Sequence, residues 1–332
     1  MTEKRTIRFA VVGCGNMGTR HAEILRRMPG CQLACVCDRN AENALKAARG
    51  APVETDYEAV LRRPDIDAVV LGLPSSLHAN HGIRAAQAGK HVITEKPIAT
   101  TVADAQALVA ACQKAGVVCA VISQNRFADG IAALKAALTR GDLGRPILAR
   151  ASVKWMRHDP YYASSTWRGT LEGEGGGVLM NQAIHNMDLM LWLFGRPEHA
   201  VCLTRNNRPV METEDTAVAA MRFPGGLLAT FEASTSAFPG FDERIEVHSL
   251  TASCIVEKGN IVSWKHEQQL PPPQPPAFPP PPDGLDPKLL TFARQYANII
   301  AAIRGEEALM VTPEEAVAVV EWTLGLYGSS NG

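Results

Sequence analysis

Residues 7–18 read IRFAVVGCGNMG: an apolar run, 7–12, then Gly13-Cys14-Gly15-Asn16-Met17-Gly18, with a helical pattern continuing through Arg27. Strand, G-x-G-x-x-G and helix in this order form a dinucleotide-binding fingerprint. Gly13 permits the tight turn, Gly15 lets a pyrophosphate approach the backbone, and Gly18 lets helix and strand pack closely. The helix start, with Asn16 and Met17, then faces the phosphates with unpaired N–H groups and its positive dipole end. A second strand, 32–37, ends at Asp38, twenty residues after Gly18, where a carboxylate accepts from the adenosine ribose hydroxyls. Asp38 favours NAD, because it repels the 2′-phosphate of NADP. Arg39 offers a guanidinium to that same phosphate, so NADP stays open.

Strand and helix go on alternating. Residues 40–49 and 56–61 read as helices, and 68–73 as a continuous apolar strand of the kind a parallel sheet buries. Pro74-Ser75-Ser76 breaks that strand and caps a helix running to Ala88. Residues 92–94 form the next strand and lead into Glu95-Lys96-Pro97. A helix with Val102, Ala105, Leu108, Val109 and Cys112 on one side stops at Gly116, and 117–122 is the last strand of an expected six-stranded sheet. The expected fold is an α/β Rossmann unit, a doubly wound parallel sheet with ligands at the carboxyl ends of its strands. Pro74, Ser75, His78, Glu95 and Lys96 fall at such ends and join the cofactor-binding candidates. For His78 a satisfied surface histidine is the competing reading.

Composition bounds the function. Of 332 residues, 46% are hydrophobic and 20% charged, and the formal net charge is -1, so no basic patch points to nucleic acid. Eight cysteines without metal-type spacing read as small core residues of a reducing compartment, and no metal is expected. The start shows no apolar segment of signal-peptide length, and no stretch is long enough to span a membrane. A cytoplasmic location is expected.

The pattern changes after Ser123. A helix with Ile131, Leu134 and Leu138 precedes a half-buried strand in which Ile147, Ala149, Ala151, Val153 and Trp155 alternate with polar residues. Residues 155–173 are irregular and crowded with Trp155, Arg157, Tyr161, Tyr162, Trp167 and Arg168. That loop suits a polar, ring-shaped ligand, with Arg157, Tyr162 and Trp167 as substrate candidates; loop packing is the alternative. Next comes EGGGVLMNQAIHNMD, 174–188, read as a glycine-ended loop opening a helix that closes at Gly195. Asn181, His185 and Asp188, four and three residues apart, would share one face of it. A site histidine and a buried structural one both fit.

Antiparallel strands follow from about Ala217 to Trp264, then the tract PPPQPPAFPPPPDGLDP, which suits an extended, stiff linker. Thr312 and Pro313 mark the start of the last helix. The chain is expected to divide into an NAD(P)-binding domain, 1–123, and a second, substrate-binding and oligomerisation domain, 124–332. The second is α+β with an open, mainly antiparallel sheet, a Pro-rich linker at 270–287 and C-terminal helices at 288–328.

The fingerprint, Glu95-Lys96-Pro97, Asn125-Arg126-Phe127 and the GGG…H…D stretch together resemble the glucose–fructose oxidoreductase / inositol dehydrogenase family, Gfo/Idh/MocA. The likeness runs over nearly the whole chain. It implies an NAD(P)-dependent oxidoreductase of a sugar, cyclitol or nucleotide sugar, built as a homodimer or homotetramer through the outer face of the second domain's sheet. By position, Lys96 matches the family's active-site lysine and His185 its catalytic histidine. Asn181 stands where many members carry aspartate, as in an NQ-x-x-H subset. The chemistry suits these residue types. A histidine near its ordinary pKa of ~6.5 takes the hydroxyl proton, a lysine stabilises charge on that oxygen, and Asn181 orients the substrate or the ring. Two alternatives stand beside this: an NADPH-dependent reductase, for which Arg39 speaks, and a non-catalytic nucleotide-binding regulator. The presence of both Lys96 and His185 speaks against the regulator.

Overall fold

The computed structural model describes residues 5–329. They form two compact units, one of residues 5–124 with Phe278–Val317, the other of Asn125–Ala277 with residues 318–329.

The first unit is built on six parallel strands: β1 (Ile7–Val12), β2 (Cys31–Cys37), β3 (Val53–Glu54), β4 (Ala68–Leu71), β5 (His91–Thr94) and β6 (Cys119–Val121), in the order β3-β2-β1-β4-β5-β6. Their apolar runs are buried on both faces, as a sheet covered by helices on either side requires. The order reverses between β1 and β4, which sets the ligand crevice beyond their carboxyl ends. The strand that no apolar run marked is β3, a pair of residues too short to leave a pattern of its own.

The helix Leu290–Ile303 belongs to this unit. Its Phe292, Ala293, Tyr296, Ile299 and Ile300 enter the same core as Ile7, Phe9, Ile24 and Leu25. The expected boundary placed everything after residue 123 in the second domain. Residues 278–317 lie instead with the first unit, because periodicity shows that a helix has an apolar face but not which sheet it covers.

The second unit carries β7 (Pro146–Lys154), β8 (His199–Arg205), β9 (Thr216–Arg222), β10 (Leu228–Ser234), β11 (Arg244–Ser249), β12 (Ala252–Glu257) and β13 (Asn260–His266), in the order β13-β12-β11-β7-β10-β9-β8. The β7–β10 pair is parallel and the other neighbours are antiparallel. Alternation decides the faces. Ala149, Ala151, Val153, Ala219, Phe231 and Val247 pack with residues of the helices Asp129–Arg140 and Ile184–Phe194. The other face shows Leu148, Val201, Leu203, Val218 and Leu228 exposed. The last helix, Pro313–Gly328, opens on a reciprocal cap: Thr312 Oγ1 accepts from Glu315 N–H at 3.2 Å, and Glu315 Oε2 accepts from Thr312 N–H at 3.0 Å. No helix among the described residues is long and apolar enough to cross a membrane.

Candidate active site

In the first unit the chain passes from β1 through Gly13, at φ +85°, into the helix Asn16–Arg27. A Cβ on Gly18 would run into the Gly13 carbonyl oxygen, so only glycine closes this turn. Beside Gly15 the space is open: an added Cβ would meet nothing within 4 Å. The helix start has no side-chain cap and no acidic residue in its first turn, so its N–H groups and dipole fit a pyrophosphate. Asp38 Oδ2 accepts from Cys14 N–H at 2.7 Å, and Oδ1 from Asn40 N–H at 2.8 Å. A carboxylate oxygen keeps a second acceptor direction, so both remain able to take ribose hydroxyls. Asn16 and Arg39 are exposed, and Met17, Pro74 and Ser75 are half-buried along the same rim. Burial pushes the Cys14 and Cys37 thiols up to about 12, so neither offers a thiolate to the loop.

Two cofactor candidates turn inward. His78 is buried, its ring nitrogens 2.7 Å from Pro97 O and 2.9 Å from Leu73 O. Burial lowers its pKa against the raising effect of the two carbonyls, and the ring ties Leu73 to Pro97 from inside instead of standing at the surface. Glu95 is also buried. Its Oε1 lies 2.8 Å from His21 Nε2, and His21 Nδ1 lies 2.9 Å from the Tyr296 hydroxyl. Glu95 Oε2 accepts from Lys96 N–H at 3.2 Å. The Glu95 carboxylate thus holds the backbone of the half-buried Lys96.

In the second unit the 174–188 stretch is not one helix. The helix proper is Ile184–Phe194, and a wide turn precedes it in which Ala183 N–H reaches back to Val178 O at 2.8 Å. The glycines are packed from within. Gly177 N–H donates to Glu214 Oε2 at 3.0 Å and to the Tyr327 hydroxyl at 3.2 Å, and a Cβ on Gly177 would strike the Glu214 carbonyl oxygen. What approaches these glycines is the protein's own Glu214 and Tyr327. Asp188 is buried and takes a two-pronged bond from Arg126, Nε to Oδ2 at 2.9 Å and Nη2 to Oδ1 at 2.6 Å. It lies three residues after His185 in that helix, and the wide turn takes Asn181 out of the helical spacing that would have joined all three.

Asn181 and His185 stay half-buried at this turn. The Asn181 amide donates to Oε1 of the buried Glu174, whose Oε2 accepts from Gly169 N–H at 2.6 Å. Of the three substrate candidates in the preceding loop, Tyr162 is buried, with its hydroxyl 2.8 Å from Thr235 Oγ1, and so packs the loop. Arg157 and Trp167 remain half-buried. Sequence reading passed over His21, Glu174, Glu214 and Tyr327. Only Glu174 lay within a stretch singled out, and nothing local marks the other three.

A fingerprint loop open at Gly15, a lysine after β5 and a histidine with a fixed amide on an α+β unit define a nicotinamide-dependent oxidoreductase of Rossmann type. The model of the oxidoreductase family with NAD-binding Rossmann fold matches residues 7–123, and that of the GFO/IDH/MocA C-terminal domain matches 131–254. The chain is 29% identical over 259 residues to the scyllo-inositol 2-dehydrogenase (NAD(+)) of Bacillus subtilis, covering 75% of this chain and 73% of that one. To the scyllo-inositol 2-dehydrogenase (NADP(+)) IolW of the same organism it is 26% identical, covering 95% and 91%. The WlbA dehydrogenase of Bordetella pertussis, solved in complex with NADH and UDP-GlcNAcA, superposes with a TM-score of 0.86 at 31% identity, over 99% of this chain and 97% of that one. The chain belongs to the Gfo/Idh/MocA oxidoreductase family. It is an NAD(P)-dependent oxidoreductase.

Proposed function

We propose that the enzyme transfers a hydride between nicotinamide and a hydroxyl-bearing carbon of a sugar, cyclitol or nucleotide-sugar derivative. The carrying observation is the half-buried His185 at the start of its helix, four residues after an Asn181 whose amide is fixed by Glu174, with Asp188 held by Arg126. Nicotinamide bound in the first unit supplies the hydride acceptor. His185 takes the hydroxyl proton, Lys96 stabilises negative charge on that oxygen, and Asn181 presents its carbonyl oxygen to the substrate or the ring. Gly13, Gly15, Gly18 and Asp38 hold the dinucleotide, with NAD preferred. The first unit is thus the cofactor unit and the second the substrate unit. The relatives that act on inositol and the neighbour solved with a nucleotide sugar support this substrate range.

NADPH-driven reduction is the second reading, favoured by the exposed Arg39 next to Asp38. The ratio of kcat/KM for NAD and NADP decides between them.

The exposed apolar side chains on β7, β8, β9 and β10 flank a charged centre in which Arg150 and Lys154 meet Glu232. This face suits a second copy of the chain in a homodimer or homotetramer. The eight free cysteines suit a reducing cytoplasm.

His185→Ala tests the reading. Alcohol oxidation is expected to fall by about 10²–10⁴-fold with NAD affinity unchanged. Near-normal turnover in this variant removes the residue from the reaction.

A further inference from the structure

The loop between β7 and the Gly175–Gly177 turn holds two arginines stacked on aromatic rings. The Arg157 guanidinium lies 5.0 Å from the Trp155 ring centre and 5.3 Å from that of Tyr161. The Arg168 guanidinium lies 4.5 Å from both the Tyr161 and the Trp167 ring centres. Stacking fixes the planes and directions of two flat cations and does not itself use their N–H donors.

Other half-buried or buried arginines of this unit have a carboxylate: Arg126 with Asp188, Arg150 with Glu232, Arg208 with Asp159 and Arg244 with Glu246. Arg157 and Arg168 have none among the described residues. Arg157 donates no side-chain hydrogen bond there, and Arg168 donates one, to the Tyr161 hydroxyl at 2.6 Å. The Nε atom of each is buried without a partner. Two ordered, partly desolvated cations are costly without an anion, and each guanidinium fork matches a carboxylate or phosphate.

The pair is tied to the substrate side of the unit. The Tyr161 hydroxyl, which takes the Arg168 bond, also lies 3.5 Å from Gln182 Nε2. Glu174 links Gly169, next to Arg168, with Asn181. Gln182 and Asn181 belong to the turn that delivers His185.

We infer that the substrate carries an anionic group, and that Arg157 and Arg168 bind it. This rests on the reading of the His185 turn as the substrate side. A carboxylate on the sugar and a phosphate joined to it share the required chemistry, a flat or tetrahedral set of charged oxygens.

The test uses the NAD-loaded protein with glucose, glucuronate, glucose 6-phosphate and UDP-glucose. Equilibrium binding is followed by calorimetry and turnover by formation of NADH. At least one anionic member is expected to bind ~10–100-fold more tightly than glucose, the range of charge-assisted hydrogen bonds. Which one does so separates the carboxylate from the phosphate source. Arg157→Gln and Arg168→Gln should each reduce that preference about tenfold, while Arg168→Lys, which keeps the charge without the fork, should restore part of it.

Glucose binding as tightly as every anionic member, no binding of any anionic member, or a preference unmoved in both glutamine variants overturns the inference. Arginine-dependent binding without NADH formation leaves it standing and sinks the hydride-transfer reading instead. Turnover of glucose with no anionic preference does the reverse.

Discussion

The Tyr327 hydroxyl stands 2.8 Å from Glu214 Oε1, and the two residues, 113 apart in the chain, close on the same turn. Glu214 accepts from the backbone of Gly177 and Leu179, and Tyr327 accepts from Gly177 as well. The turn that delivers His185 is therefore built from outside its own sequence.

Removing the hydroxyl tests this. Tyr327→Phe takes one donor from Glu214 and one acceptor from Gly177, and should cost about 1–3 kcal/mol in a denaturant melt. It should also lower kcat more than it changes KM, by up to ~10²-fold, because a shift of the His185 turn misaligns the proton acceptor. Lower stability with kcat intact would show that the hydroxyl braces the unit without positioning the turn.

Glu214 also makes stability depend on pH. Burial raises its carboxyl above the ordinary range, against the opposing bonds from Leu179, Tyr327 and Gly177. The unfolded value is ~4.3, so between that pH and the raised value the folded state binds more protons than the unfolded one. The contribution is complete below ~4.3 and is lost as pH rises through the folded value. The stability of the wild type minus that of Glu214→Gln should therefore shrink from mildly acidic to neutral pH. A difference that grows in that direction would mean the surroundings favour the carboxylate.

What could be read from sequence follows the range of the interactions. β1, the glycine loop and the helix Asn16–Arg27 were legible because strand run, tight turn and helix start are local and sit side by side in the chain. The strand alternation of the second unit was legible for the same reason, through Ala217, Ala219 and Met221. The turn before His185 was not. Its wide Ala183–Val178 bond breaks the spacing that put Asn181 and Asp188 on one face, and its supports, Glu214 and Tyr327, lie 37 and 150 residues from Gly177. His21 lies within the helix Asn16–Arg27 and was passed over, because its partners Glu95 and Tyr296 come from distant elements.

Asp188 illustrates the same limit and yields a stability prediction. It forms a buried ion pair with Arg126, whose guanidinium also lies 5.2 Å from the Trp192 ring centre. Asp188→Ala should lose roughly 3–5 kcal/mol by stranding a buried cation. The double change Arg126→Met with Asp188→Leu should recover much of that loss in chemical melts, since a well-packed apolar pair replaces a costly ionic one. No recovery would mean that the pair specifies the local packing beyond its charge.

Asn181→Asp makes the sharpest test of the turn. Its side chain already donates to the Glu174 carboxylate, so an added carboxylate would face another in a partly dry setting. Two such groups cannot both ionise cheaply, and the pair takes up a shared proton with one apparent pKa raised. If the introduced group stood alone beside His185, it would stabilise the imidazolium and move the acid limb of the kcat/KM profile upward. With Glu174 behind it, the shared proton blunts that effect, and the limb should move little while the variant loses stability at neutral pH and regains it in mild acid. Asn181→Asp combined with Glu174→Gln removes the competing carboxylate and should release the full upward shift. A pH–rate profile and a pH series of melts on the single and double variants separate the outcomes. An upward shift already complete in the single variant would show that Glu174 does not govern residue 181.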